Sequence, residues 1–294
     1  MTTFSYEEAF SRTLGWITES ERDVIRQKRV AVAGLGGVGG SHVITLARLG
    51  LQHFHLADMD TFALVNMNRQ AGAFCSTLGQ AKLDVISRLA CDINPEADVI
   101  GFPDGVSNDN LERFLDGVDL YVDGLDFFEM SIRRAVFSAC YARGIPAITA
   151  APLGVGVGLL VFDPNGMSFD EYFQLENQPY EEQLLRFLVG LAPRILHQGY
   201  LADPSTVDFK SHRGPSTPMA CELCAGVAGA TAMKLLLKRG PIVAAPRGLQ
   251  FDAYRQRLAK TWRPWGNANP LQKLILSIAR RKMKKMGGIQ KDGG

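Results

Sequence analysis

Several groups of residues in this chain are of types that do chemistry, and they recur in an order that links them. A glycine-rich turn containing Gly34, Gly36, Gly37, Gly39 and Gly40 follows a short apolar run at 30–33. Asp58 and Asp60 come at the end of the next apolar run, then Asn66, Asn68, Arg69 and Gln70, then Lys82, and then Asp123 and Asp126 around Gly124. A strand–glycine–helix turn gathers free backbone N–H groups and the positive end of a helix, so it holds anions. Glycine lets the backbone approach a phosphate closely and take positive φ without steric cost. Alone, the turn says only that a nucleotide fits. A hydride-transfer site needs the glycines and the strand-end acid, but has no use for Asn-Met-Asn-Arg-Gln followed by lysine. A reaction at a nucleotide's phosphates does, because charge develops on the α-phosphate and on departing pyrophosphate, where fixed cations stabilise the transition state.

These groups need elements to hold them. Residues 30–33 read as a strand and 41–49 as a helix after the turn. Residues 52–58 read as a second strand, whose terminal Asp58 suits a ribose hydroxyl pair or caps the turn that follows. His53 and His55 alternate with apolar residues and read as exposed-face residues, not metal ligands. The link at 59–78 is long, and links of that length tend to be functional. A helix opens at Gly79-Gln-Ala-Lys82 and runs to about residue 92. Lys82 lies in its first turn, where the helix dipole disfavours a cation, so it is either an anion ligand or a solvated lysine. Strands at 97–102, 118–126 and 145–151 alternate with helices at 109–115 and 130–143. Asp123 and Asp126 fall at the carboxyl end of a strand, where open α/β sheets bind ligands.

After Pro152 the alternation stops. Residues 154–164 read as added antiparallel strands, 221–238 as a helix with small residues on one side, and 250–258 as a final strand. An insertion at 165–217, with a helix at 180–196 and a loop at 203–218, is expected over the ligand edge of the sheet. At the start, 5–26 reads as a helical arm with Phe10, Leu14 and Ile17 apolar. Glu7, Glu8, Glu19, Glu21 and Arg22 read as solvated there, and Arg12 lies on the same arm. Residues 271–285 mix Leu274, Ile275, Ile278 and Met283 with Lys273, Arg280, Arg281, Lys282, Lys284 and Lys285. Such a basic amphipathic helix contacts an anionic surface or docks its apolar stripe on protein. The fold expected is α/β: a Rossmann-like doubly wound sheet, mostly parallel, with added antiparallel strands and a helical insertion. The units are an arm at 1–27, a main domain at 28–260 with the insertion at 165–217, and a basic tail at 261–294.

A formal charge of +2 over 294 residues argues against global affinity for nucleic acid. The first residues are acidic and lack the apolar core of a secretory leader, and the longest apolar runs, broken by glycine, read as too short to span a bilayer. Five cysteines, an odd and sparse set, suit a reducing cytoplasm better than a disulfide framework.

Read together, GLGGVGG, DMD, VNMNRQ, LGQAK and DGLD resemble, in order, the ubiquitin-activating-enzyme-like adenylyltransferases of the ThiF/MoeB/HesA group. The resemblance covers about residues 10–165 and resumes around 221–238. It implies that Gly37 approaches ATP phosphates within a cradle formed by Gly34, Gly36 and Gly39. It also implies that Asp58 holds the ribose with support from Asp60, and that Asn66, Arg69 and Lys82 bind the β- and γ-phosphates. Asp126 would bind Mg²⁺, and Arg12 would reach across a homodimer into the neighbouring site. A substrate carboxylate, such as the C-terminus of a small protein or peptide, would attack the α-phosphate to give an acyl-adenylate. A carboxylate with pKa about 4 needs no general base for this.

Many members hold zinc with two C-x-x-C pairs. Here Cys221-x-x-Cys224 matches the second, and no first pair lies between 163 and 220, so zinc is not expected. Cys75 and Cys140 lack the context of a thioester-forming cysteine, and Cys140 reads as a buried thiol. The other readings are an NAD(P)-dependent oxidoreductase on the same scaffold and a non-catalytic nucleotide-binding member.

Overall fold

The computed structural model describes residues 3–206 and 214–285. The arm is two short helices, α1 (Tyr6–Ala9) and α2 (Glu19–Arg26), and not the single helix expected over 5–26. Gly15 at φ +100° breaks it, and Thr18 with Glu21 then form a capping box that restarts it. Arg22 is buried rather than solvated.

From there strand and helix alternate: β1 (Arg29–Ala33), α3 (Gly37–Arg48), β2 (His53–Ala57), α4 (Lys82–Ile93), β3 (Asp98–Phe102), α5 (Leu111–Phe114), β4 (Leu120–Asp123), α6 (Met130–Ala142) and β5 (Ala147–Leu153). β6 (Gly156–Phe162) follows after a tight turn, then α7 (Phe169–Phe173), α8 (Tyr180–Leu191) and α9 (Pro218–Leu236), the hairpin β7 (Arg247–Asp252) and β8 (Arg257–Trp262), and α10 (Pro270–Lys285). All eight strands form one sheet in the order β3-β2-β1-β4-β5-β6-β7-β8. The first five pair in parallel, and β6, β7 and β8 are added antiparallel. The mostly parallel sheet with antiparallel additions is thus as expected. The single strand expected over 250–258 is instead a hairpin, because Ala253–Gln256 turn the chain back. β8 also carries the sheet past residue 260, into the stretch expected to begin the tail.

Apolar side chains of alternate strand residues feed two cores. On one face, Val30, Val32, Phe54, Leu56 and Val122 meet α3, α4 and α9. On the other, Ala31, Tyr121, Leu160 and Phe162 meet α6 and the insertion, through Phe169, Tyr172, Phe173, Leu184 and Phe187. The insertion therefore covers a face of the sheet, where it was expected over the ligand edge. One of its turns, Leu196–Tyr200, does reach that edge, with Tyr200 accepting from the N–H of Val155 at 2.8 Å. The helix expected over 180–196 stops at Leu191, and 207–213 of the expected loop lie outside the described residues.

His55 is buried, not on an exposed face, and its Nδ1 lies 2.8 Å from the carbonyl of Phe114. α9 is long and apolar enough by composition to cross a membrane. It packs along β5 and β6 and against α3, where Thr45 fits the space left by Gly229. Its small residues make that close approach possible.

Candidate active site

The site is built where β1 and β4 end. Gly34 takes φ +81°, and a Cβ there would fall 2.3 Å from the carbonyl oxygen of Gly124. A Cβ on Gly39 would fall 1.7 Å from the carbonyl oxygen of Gly34. Backbone packs on backbone at this point, so no side chain can enter. α3 starts at Gly37 with Gly36 as its N-cap, and among the described residues no side chain caps its first N–H groups. N–H groups free in this way are suited to an anion.

Asp58 is bonded to the turn itself. Its Oδ2 accepts from the Leu35 N–H at 2.6 Å and its Oδ1 from the Asp60 N–H at 2.8 Å. Burial pushes its carboxyl up, against the pull of these two donors and of Lys82. Lys82 is the first residue of α4, is 6% exposed, and places Nζ 2.9 Å from Asp60 Oδ2. Glycine turn, Asp58, Asp60 and Lys82 are therefore joined by consecutive hydrogen bonds.

The link 59–78 delivers the other polar groups. Asn66 is buried, and its Oδ1 accepts from the Ala63 N–H at 2.9 Å, which closes the turn Leu64–Asn66. That turn aims Arg69. Its Nη1 donates to Val65 O and Asn68 Oδ1 at 3.1 and 2.9 Å, and its Nε lies 3.7 Å from where a Cβ on Gly37 would be. Gln70 lies over Gly36, with its amide nitrogen 3.5 Å from the corresponding point, and its buried Oε1 has no partner among the described residues. Cys221 Sγ closes the turn from α9, 3.2 Å from the Cβ position of Gly37. Burial pushes its thiol up. Cys224 sits in the core.

Asp126 is exposed on the loop after β4, and its Oδ1 accepts from the Phe128 N–H at 3.0 Å. Asp123 does a different job from its neighbour. It is buried and pairs with Arg133 Nε at 2.9 Å, while Thr149 donates to its Oδ2 at 3.0 Å. Arg133 Nη2 also donates to the carbonyls of Leu125 and Asp126, at 2.7 and 2.8 Å. This buried arginine sets the shape of the loop that presents Asp126, and it is not among the residues singled out from the sequence. A signal exists: Met130, Arg133, Phe137 and Cys140 form one buried stripe of α6, with an arginine in otherwise apolar company.

Among the described residues no contact joins Arg12 to this group from its own chain's arm. It is exposed in the turn Ser11–Thr13. The arm is fixed by Tyr6, whose hydroxyl donates to Gly50 O at 2.6 Å, beyond the carboxyl end of α3. A twelve-residue helix separates that anchor from the glycine turn, about 18 Å.

Fold and site define an α/β protein of the Rossmann-like class whose ligand edge is a glycine cradle faced by an arginine and a buried lysine. The chain belongs to the ThiF family, whose model matches residues 10–273. It is 35% identical over 142 residues to the tRNA threonylcarbamoyladenosine dehydratase of Bacillus subtilis (strain 168), covering 48% of this chain and 55% of that one. It is 28% identical over 141 residues to the molybdopterin-synthase adenylyltransferase of Salmonella typhimurium, covering 48% and 56%. The matched stretch thus spans little more than half the length of each. Among solved structures, that of E. coli MccB with ATP is similar at TM-score 0.61 and 17% identity, covering 82% of this chain and 65% of that one. This likeness is one of fold.

Proposed function

We propose that the protein adenylates a substrate carboxylate at the expense of ATP and releases pyrophosphate. The observation that carries this reading is the convergence of Arg69 and Lys82 on the glycine turn, with Lys82 bonded through Asp60 and Asp58 to the turn itself. The cradle fits a phosphate chain: a Cβ would fill it, and among the described residues no side-chain cap takes up its first N–H groups. Gly34, Gly36, Gly37 and Gly39 admit the phosphates, Asp58 takes the ribose, and Asn66, Arg69 and Lys82 take the β- and γ-phosphates. Asp126 would hold Mg²⁺, which when bound neutralises phosphate charge. Among the described residues no three His, Cys, Asp or Glu gather as a metal site.

One carboxylate oxygen forms a bond to the α-phosphorus, and the bond to the bridging oxygen breaks. Pyrophosphate departs with that electron pair, and Arg69 and Lys82 stabilise the charge it gains. The substrate is ionised already, so no side chain has to remove a proton. We take the substrate to be the C-terminus of a small protein or peptide, and the acting form to be a homodimer in which Arg12 serves the neighbouring site. The anchoring of the arm at the far end of α3 supports that arrangement. A second reading follows from the similarity to the Bacillus subtilis dehydratase: the activated carboxylate then closes onto a group of the same molecule, and a nucleoside is the substrate. Product analysis tests the proposal. Pyrophosphate and acyl-adenylate must appear in equal amounts with a carboxylate substrate, with AMP following only as the adenylate is hydrolysed or transferred; ADP and phosphate would overturn it, as would stabilisation by NAD(P)H and not by ATP–Mg²⁺.

A further inference from the structure

α10 has two apolar faces, and only one is docked. Leu276 is buried against Leu185 and Val189 of α8, with Ile275 and Ala279 beside it. Arg280 closes that contact on Glu182 at 2.5 Å. The second face carries Leu271, Leu274 and Ile278, which are 49%, 57% and 47% exposed. Spacings of three and four residues place them on one stripe, turned away from the docked side. Arg281 and Lys282 stand exposed at the next turn, and among the described residues neither makes an ion pair.

Charge is also segregated along the chain. Twelve of the 32 Lys and Arg, but two of the 30 Asp and Glu, lie after residue 246, so that this stretch is +10 and everything before it is −8. The overall balance of +2 conceals a strongly basic end.

We propose that α10 rests on an anionic lipid bilayer. Leu271, Leu274 and Ile278 enter the boundary between headgroups and acyl chains, and Arg281 and Lys282 meet lipid phosphates. The exposed apolar side chains of the helix are aliphatic, which gain from leaving water for hydrocarbon. Single-stranded nucleic acid would call for aromatic stacking partners, and the described face of α10 presents none. Because Leu276 and Arg280 hold the opposite face on α8, the helix binds the surface without leaving the protein. This inference stands apart from the adenylation reading.

Co-sedimentation of the full chain with phosphatidylcholine vesicles, with and without phosphatidylglycerol, is the test. The wild type should sediment with the anionic vesicles at low salt, stay in solution with the neutral ones, and be released by added salt. Leu274→Glu with Ile278→Glu should lower the partition about tenfold or more, and Arg281→Glu with Lys282→Glu should do the same. Melting curves matching the wild type would show that both variants are folded. No sedimentation with anionic vesicles overturns the proposal. So does an unchanged partition in Leu274→Glu/Ile278→Glu, or retention of single-stranded RNA without vesicle binding.

Discussion

Asp123 and Arg133 meet at 2.9 Å between side chains that are 3% and 2% exposed, and the same guanidinium holds the carbonyls of Leu125 and Asp126. The pair links the end of β4 to α6 and sets the loop that carries the proposed metal ligand. Arg133→Met should cost about 3–5 kcal/mol, because it strands a buried carboxylate. Arg133→Lys keeps a positive charge and loses the planar fork, so it should fold better than Arg133→Met yet turn over more slowly than the wild type. Urea unfolding and steady-state rates on the two variants check this. Equal stability of Arg133→Met and wild type would contradict it.

Gly39→Ala should abolish nucleotide binding, since its Cβ would fall 1.7 Å from backbone that has no room to retreat. Gly226→Ala, on an open helical surface with nothing within 4 Å, is the control and should bind as the wild type does. Calorimetric titration with ATP–Mg²⁺ reads both.

Lys82→Ala and Arg69→Ala should each lower turnover by about 10²-fold or more, the scale of losing one fixed transition-state donor. The cost in stability should be small for Lys82→Ala, because its partner Asp60 is 67% exposed and water replaces the lost bond. If Arg12 acts across a dimer, mixing inactive Arg12→Ala with inactive Lys82→Ala should restore activity, since some mixed dimers carry one intact site. Mixtures as inactive as their components would contradict that arrangement.

His42 on α3 is buried, with no hydrogen-bond partner for either ring nitrogen among the described residues, and burial lowers its pKa to about 4. The unfolded chain takes up a proton near pH 6.5 that the folded chain refuses until about pH 4. Stability is therefore full above pH 6.5 and falls as pH drops through that window, by on the order of 3 kcal/mol. His42→Leu should flatten this acid limb, and at pH 7 it should be neutral or stabilising, because two orphaned polar atoms leave the core. Denaturation midpoints from pH 4 to 7 measure both effects.

The parallel half of the fold was legible because strand and helix alternate there at two distinct apolar periods, and because glycine fixes where β1 must end. Asn66, Asn68, Arg69 and Gln70 stand out in the sequence as a polar set that an ordinary link does not need, flanked by Asp58 and Lys82. Arg133 does not, since a buried arginine inside a crossover helix looks like a solvated one until its carboxylate partner is located. Arg22 is buried beside an exposed partner, Asp23, that is its neighbour in sequence, so nothing in the spacing sets it apart from a solvated arm residue. The hairpin of β7 and β8 escaped because the turn at Ala253–Gln256 carries no glycine or proline. Within the apolar stripe expected on α10, Ile275 lies beside the docked contact and Leu276 makes it, while Leu274 and Ile278 face outward. Met283 was expected in that stripe, and its side chain lies outside the described residues. Apolar residues on every turn of a helix do not tell which stripe is covered.

The central claim is that this glycine turn serves adenylation of a carboxylate. ATP–pyrophosphate exchange tests it most directly, with peptide C-termini, small-protein C-termini and carboxylate-bearing nucleosides offered in turn. The prediction is carboxylate-dependent incorporation of labelled pyrophosphate into ATP by the wild type, and its loss in Lys82→Ala. Exchange that persists undiminished in Lys82→Ala, or no exchange with any carboxylate from a protein that binds ATP, would contradict the account.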